Sequence, residues 1–287
     1  MTIESTQAII RRRFSCRTYA KQPIPAEKLA AIKSFLETLP AGPFGSPARL
    51  QLVAATAEDA DALKSLGTYG FIQSPTGFIA GIASKNEKNL EDFGYHLEEA
   101  VLFCTQLNLG SCWLGGTFSR SSFARKINAS ERDILPAVIS IGEMLDPEQA
   151  RRGLIRLQVN ADQRLPWPRI FFDGDFNHPL ERKDADRWTE ALEMVRLGPS
   201  ASNKQPWRIL KKDGRWHFYL ERTKGYRGDR VKTLLRIVDI QRLDMGIAMC
   251  HFEMSARELN LSGSWKIEEP EISLPNELFE YTVTWQH

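Results

Sequence analysis

Asp92-Phe93-Gly94 opens a run that closes on Leu107-Asn108-Leu109-Gly110-Ser111-Cys112-Trp113, and Asp244-Met245-Gly246 opens another that closes on Leu259-Asn260-Leu261-Ser262-Gly263-Ser264-Trp265. Asp, Gly, Leu, Asn, Leu and Trp recur at one offset, the 152 residues from Asp92 to Asp244. Leu97, Ala100, Val101, Cys104 and Leu107 stand at helical spacing in the first run. Met245, Ala248, Met249, Phe252, Ala256 and Leu259 do so in the second. Six identities at one offset within the 22 residues from Asp92 to Trp113 exceed what two unrelated amphipathic helices share, so the chain reads as an internal duplication. The alternative is two similar helices in an unduplicated fold. An offset of about 158 also lays the helix end at Leu39 on Leu197, so a small insertion or deletion separates the two registers.

The pattern outside these runs mixes helices and strands. A short helix is expected up to Arg12 with Thr2 or Ser5 as its cap, and a second from Ala26 to Leu39 after Pro23-Ile24-Pro25. Leu50–Ala55, Gly77–Ser84 and Ala137–Ile141 read as strands, and Glu58–Leu66 as a helix. The first long helix ends at Asn108 or Gly110. Further on, Asp186–Leu197 reads as a helix and Val231–Leu259 as a long one. Trp207–Lys211 and Trp216–Glu221 form a hairpin through Asp213-Gly214, and Tyr281–Trp285 a terminal strand.

Composition narrows the class. A length of 287 residues predicts about two domains. Hydrophobic residues at 42%, with 19 glycines, exclude wholesale disorder. A balance of 38 basic and 36 acidic side chains gives +2 and no field for nucleic acid or an anionic membrane. No apolar stretch approaches the roughly 18 residues of a membrane span. Arg11-Arg12-Arg13 is followed by Phe14-Ser15-Cys16-Arg17 instead of an apolar stretch and is not read as a signal peptide. Four cysteines without a Cys-x-x-Cys spacing point to reduced thiols and a cytoplasmic protein. His96-Leu97-Glu98-Glu99 and His251-Phe252-Glu253 lack metal-ligand spacing and read as helix surface, so no metal is expected. Arg151, Arg152 and Arg156 read as a solvated linker face that could also reach a phosphate.

Three segments could carry chemistry. Arg13-Phe14-Ser15-Cys16-Arg17 puts two guanidiniums and a hydroxyl on one side of an extended chain, a set suited to a phosphate, although most such pairs are solvated surface. Pro199-Ser200-Ala201-Ser202-Asn203-Lys204-Gln205-Pro206-Trp207 is a loop whose Asn203 and Gln205 would share a side if extended, each amide both donor and acceptor; such a loop can equally just turn the chain. Leu109-Gly110-Ser111-Cys112-Trp113-Leu114-Gly115-Gly116 ends on glycines that leave the backbone open to a flat ligand. No Walker or Gly-x-Gly-x-x-Gly motif occurs.

Together the three segments resemble the signatures of the nitroreductase family, and the doubled length resembles its two-lobed TM nitroreductase subgroup. The resemblance implies an α+β fold, internally duplicated so that lobes 1–150 and 151–287 mimic the family homodimer within a monomeric pseudo-dimer. It also implies one FMN between the lobes. Arg13, Ser15 and Arg17 would hold the phosphate and ribityl end. Pro199, Ser200, Ala201, Asn203 and Gln205 would border the ribityl chain and ring, and Leu114, Gly115 and Gly116 the ring edge. Phe14 departs from the basic or His residue frequent at that position in the family.

The copies have diverged in complementary ways. At offset 158, Asn203 and Gln205 fall on Gly45 and Pro47; at offset 152, Gly115 and Gly116 fall on Ile267 and Glu268. Asp173-Gly174-Asp175 stands where the second copy would need its phosphate segment. One flavin site is therefore expected, not two. The implied function is transfer of reducing equivalents from NADH or NADPH to a small electron acceptor such as a nitroaromatic or quinone, with no side chain assigned as acid or base. The alternative is a non-catalytic flavin-binding protein, a sensor or reservoir.

Overall fold

A computed structural model describes residues 4–54, 63, 66, 68, 70–130, 132–145, 163–225 and 238–287. In chain order its elements are α1 (Thr6–Arg12), α2 (Ala26–Thr38), β1 (Leu50–Ala54), β2 (Gly77–Gly81), α3 (Asn89–Gln106), β3 (Leu109–Leu114), α4 (Arg120–Lys126), β4 (Val138–Glu143), β5 (Phe171–Asp173), β6 (Asp175–Pro179), α5 (Thr189–Leu197), β7 (Trp207–Lys212), β8 (Arg215–Glu221), α6 (Ile240–Glu258), β9 (Ser264–Lys266) and β10 (Phe279–Gln286). The chain forms two compact units, Met1–Glu4 with Arg12–Asp162 and Ser5–Arg11 with Gln163–His287. The lobe boundary expected at 150/151, and Arg151, Arg152 and Arg156, lie outside the described residues. So do most of Glu58–Leu66 and the start of the helix expected from Val231.

In the first unit, four antiparallel strands run in the order β1-β2-β4-β3, with α3 packed on β3 and β4. Phe78 on β2 meets Phe123 on α4 edge-on at 4.9 Å, within the core that Val138 and Leu114 also enter. In the second unit, β7-β8-β10-β9 repeat the order of the first sheet, and β5 and β6 extend it beyond β7. The β5–β7 pairing is parallel and the others are antiparallel. Asp213 and Gly214, both at positive φ (50° and 69°), make the turn between β7 and β8 that their sequence predicts. Phe252 on α6 stacks on Trp188 and meets Phe218 and Trp285 edge-on. Helix α1 begins on Ser5, whose Oγ accepts the Ala8 N–H at 3.2 Å. Arg11 near its end pairs with Glu190 of α5, also within the second unit.

The repeat found in the sequence is a repeat of structure. Helices α3 and α6 both stop at Leu-Asn, with Asn108 at φ 59° and Asn260 at φ 57°. Leu107 N–H reaches Phe103 O and Asn108 N–H reaches Thr105 O; Leu259 and Asn260 repeat both bonds to Ser255 and Arg257. Asparagine tolerates this left-handed turn, which explains why both copies hold it. The cap is thus Asn108 and not Gly110, which lies inside β3. There a Cβ would meet Cys16 and Met144 at 2.9 Å.

One expectation is overturned. His96, Glu98, His251 and Glu253 are buried, not surface. The core helices are enclosed on nearly every side, and their polar groups survive burial by bonding inside: His251 Nδ1 to Met194 O at 2.9 Å, and the Trp113 and Trp265 indoles donating to Glu98 and Glu253. Substituting Asn260 by Val should cost roughly 1–2 kcal/mol in urea unfolding, because a β-branched residue resists the left-handed turn, whereas Asn260→Gly should be tolerated.

Candidate functional site

Residues 13–20 form an extended ribbon along the first sheet. Ser15 bridges Ser111 in parallel fashion, and Cys16 N–H donates to Ser111 O at 2.8 Å. Gln73 N–H then donates to Arg17 O, and Ala20 N–H to Glu143 O. Phe14 and Cys16 turn into the core, so the alternation of an extended chain sends Arg13, Ser15 and Arg17 to the other side. Gly110 permits the close approach of Cys16.

The two arginines differ. Arg13 is buried and faces the fully buried Glu98 carboxylate, Nε to Oε1 4.0 Å; Glu98 also accepts the Trp113 indole N–H at 2.7 Å. Arg17 is half-buried, and its Nη1 is a buried nitrogen with no hydrogen-bond partner among the described residues. A guanidinium nitrogen out of water and unbonded is costly, and an anionic oxygen is the group that would satisfy it. At the end of β3, Leu114 is buried, Gly115 O accepts Arg120 Nη2 at 3.0 Å, and Gly116 is exposed with nothing within 4 Å of where a Cβ would stand. The backbone at Gly116 is therefore open to a ligand. These features fit a phosphate-bearing flat cofactor.

The amide loop of the second unit is not extended. Ala201–Asn203 forms a single 3-10 turn, and Ser202, Asn203 and Gln205 all take positive φ, 49°, 55° and 49°. The loop turns instead of presenting a row of amides because its side chains bond its own neighbourhood. Ser200 Oγ accepts Gln205 N–H at 2.8 Å, Gln205 Oε1 accepts Leu165 N–H at 2.8 Å, and Gln205 Nε2 donates to Asn203 O at 3.1 Å. Asn203 Nδ2 donates to Gln163 O at 2.9 Å. Arg164, which belongs to none of the three motifs, ties Leu197 O to this loop. Pro199 and Ala201 lie on the same loop, Pro199 buried and Ala201 half-buried.

Beneath each copy's loop lies an aspartate. Asp92 accepts Phe44 N–H on Oδ1 at 2.9 Å and Ser46 N–H on Oδ2 at 2.8 Å. Asp244 accepts Ala201 N–H on Oδ1 at 3.0 Å, and its Oδ2 is buried with no partner among the described residues. Burial pushes the Asp244 carboxyl well above the usual carboxylate range; the Ala201 bond opposes this and Asp239 adds to it. The sequence marked both residues as repeat identities, but not as anchors of the loops.

Residues 5–256 match the family described as “Putative TM nitroreductase”. The chain belongs to this family. No curated protein matches it. Among solved structures, a “putative nitroreductase” from Thermotoga maritima is similar over 99% of this chain and 94% of its own, at 19% identity and a TM-score of 0.61. Another, from Desulfovibrio desulfuricans and in complex with FMN, covers 54% of this chain and 96% of its own, at 22% identity and a TM-score of 0.40. This nitroreductase-family chain thus has the family's α+β fold in duplicate, and no described helix is long and apolar enough to cross a membrane.

The two aspartates should respond oppositely to the same change. Asp92→Asn replaces an acceptor of a backbone N–H by a donor and should cost about 1–3 kcal/mol in urea unfolding. Asp244 has a folded pKa above its unfolded value, so the native state holds the extra proton and stability falls as pH rises from about 4 through the folded pKa. Asp244→Asn should therefore gain on the wild type between pH 5 and pH 8; parallel stability curves for the two proteins would contradict a protonated Asp244.

Proposed function

We propose that this protein is an FMN-dependent oxidoreductase that passes reducing equivalents from NADH or NADPH to a small acceptor such as a nitroaromatic or quinone. Family membership supports the reaction class. Arg17 Nη1, buried and without a hydrogen-bond partner among the described residues, on the Arg13-Ser15-Arg17 side of the ribbon is the observation that supports a bound phosphate. FMN would supply the electron-carrying ring.

The chain's own residues do the positioning. Arg17 and Ser15 bind the phosphate end, and Arg13, held by Glu98, contributes fixed positive charge. Leu114, Gly115 and Gly116 leave backbone along the ring edge. Pro199, Ser200, Ala201, Asn203 and Gln205 form the loop bordering the ribityl chain, with Ser200 and Gln205 fixing its turn. Because each copy keeps motifs the other has lost, the proposal is one FMN per chain in a monomeric pseudo-dimer with lobes 1–150 and 151–287. The four cysteines are all buried, in keeping with the reduced, cytoplasmic setting proposed here.

Purified protein should carry flavin absorbance saturating at one FMN per chain; two would refute the unequal copies. Arg17→Ala should weaken FMN binding tenfold or more, on the order of one charge-assisted bond. Anaerobic NADH or NADPH should bleach the bound flavin, and a quinone should restore its colour. Tight FMN that neither nucleotide bleaches would assign the protein to flavin storage or sensing.

A further inference from the structure

Arg120 opens α4, yet its side chain turns back to the end of β3. Nη2 donates to Gly115 O at 3.0 Å, and Nε donates to Leu135 O at 3.4 Å. The guanidinium carbon lies 5.1 Å from the centroid of the Phe118 ring, which is buried and meets Phe123 edge-on. The far anchor is fixed too. Leu135 is buried, and its neighbour Ile134 is bridged to Ala83, whose N–H donates to Ile134 O at 2.9 Å. A planar fork that bonds in two directions and rests on a core ring has little freedom.

One of the two carbonyls that it holds belongs to a peptide between two glycines. Neither Gly115 nor Gly116 takes positive φ. Their backbone angles do not require glycine, and what the pair supplies is a bare main chain. Bareness has a cost, because a peptide plane between two glycines meets little steric resistance to turning over. Here Arg120 pins Gly115 O. A trans peptide is planar, with its N–H antiparallel to its C=O. The Gly116 N–H therefore points away from the guanidinium. No described backbone oxygen accepts it. Gly116 is exposed, and nothing stands within 4 Å of where its Cβ would be.

We propose that Arg120 is a positioning residue: it fixes the Gly115–Gly116 peptide so that the Gly116 N–H donates to the flavin ring edge, a role that rests on FMN being the cofactor. An oxidised flavin presents a bare nitrogen acceptor on its ring. Hydride from NADH or NADPH, a hydrogen with two electrons, turns that acceptor into a donor. A fixed N–H donor facing it favours the oxidised ring. With the peptide turned over, Gly115 O would face the ring instead and favour the reduced one. Arg120 thus tunes the balance between the two forms without touching the ring, by way of a carbonyl on the far side of one peptide plane.

Two variants of the full chain test this. Arg120→Met keeps the stem against Phe118 and removes both donors, whereas Arg120→Lys keeps one donor for Gly115 O. Crystal structures without flavin should show the Gly115–Gly116 peptide turned over or in two orientations in Arg120→Met, and in a single orientation, N–H outward, in the wild type and Arg120→Lys. In Arg120→Met, affinity for oxidised FMN should fall about tenfold relative to reduced FMN, which raises the two-electron potential by about 30 mV; Arg120→Lys should stay near the wild type. Should Arg120→Met not fold, the wild type still decides, because its Gly116 amide must exchange with solvent about tenfold more slowly with oxidised than with reduced flavin. An unturned peptide in Arg120→Met, an unmoved ratio of affinities, a lysine variant shifted as far as the methionine one, or equal exchange in the two flavin states would each overturn the role of Arg120. A chain that takes up no FMN overturns the flavin reading itself, and the flavin-free structures report on the peptide in either case.

Discussion

In each copy of the repeat, an aspartate near the start of a core helix reaches back to the backbone of a loop far earlier in the chain. Asp92 grips Phe44 across 48 residues, and Asp244 grips Ala201 across 43. Much of the architecture follows from this. The helix that carries the aspartate is sealed in the core and fixes where the sheet lies; the loop that it grips joins the preceding helix to the next strand, β1 in the first unit and β7 in the second. A buried carboxylate is costly unless bonded, so the pairing of helix and loop is hard to alter without loss of stability.

The two grips are unequal. Both oxygens of Asp92 are used, whereas Asp244 leaves one without a partner among the described residues, under a loop with three non-glycine residues at positive φ. Such conformations cost of order 1–3 kcal/mol each and persist where the surroundings over-determine them. Here Ser200, Gln205, Asn203 and Arg164 do so through bonds to their own neighbourhood.

Much of this was legible beforehand. The 152-residue offset from Asp92 to Asp244 is a fact of sequence, and the matching Asn108 and Asn260 caps and the common strand order follow from it. Alternation along an extended chain is itself the reason to expect Arg13, Ser15 and Arg17 on one side of the ribbon. The errors came from local reasoning about residues whose surroundings are remote. His96, Glu98, His251 and Glu253 look like helix surface because charge near helical spacing usually is; here a sheet and neighbouring helices enclose them. Asn203 and Gln205 suggested an extended pair because spacing of two implies alternation, but their amides bond residues some forty positions upstream.

Sequence by itself determined the duplication, the hairpin at Asp213-Gly214 and the family, because these rest on periodicity, turn chemistry and residue identity within short windows. Tertiary structure alone decided which polar groups are satisfied: that Arg17 Nη1 and Asp244 Oδ2 are buried without hydrogen-bond partners among the described residues while Arg13 faces Glu98. Satisfaction depends on which distant backbone or side chain arrives within about 3 Å, and no local pattern encodes that.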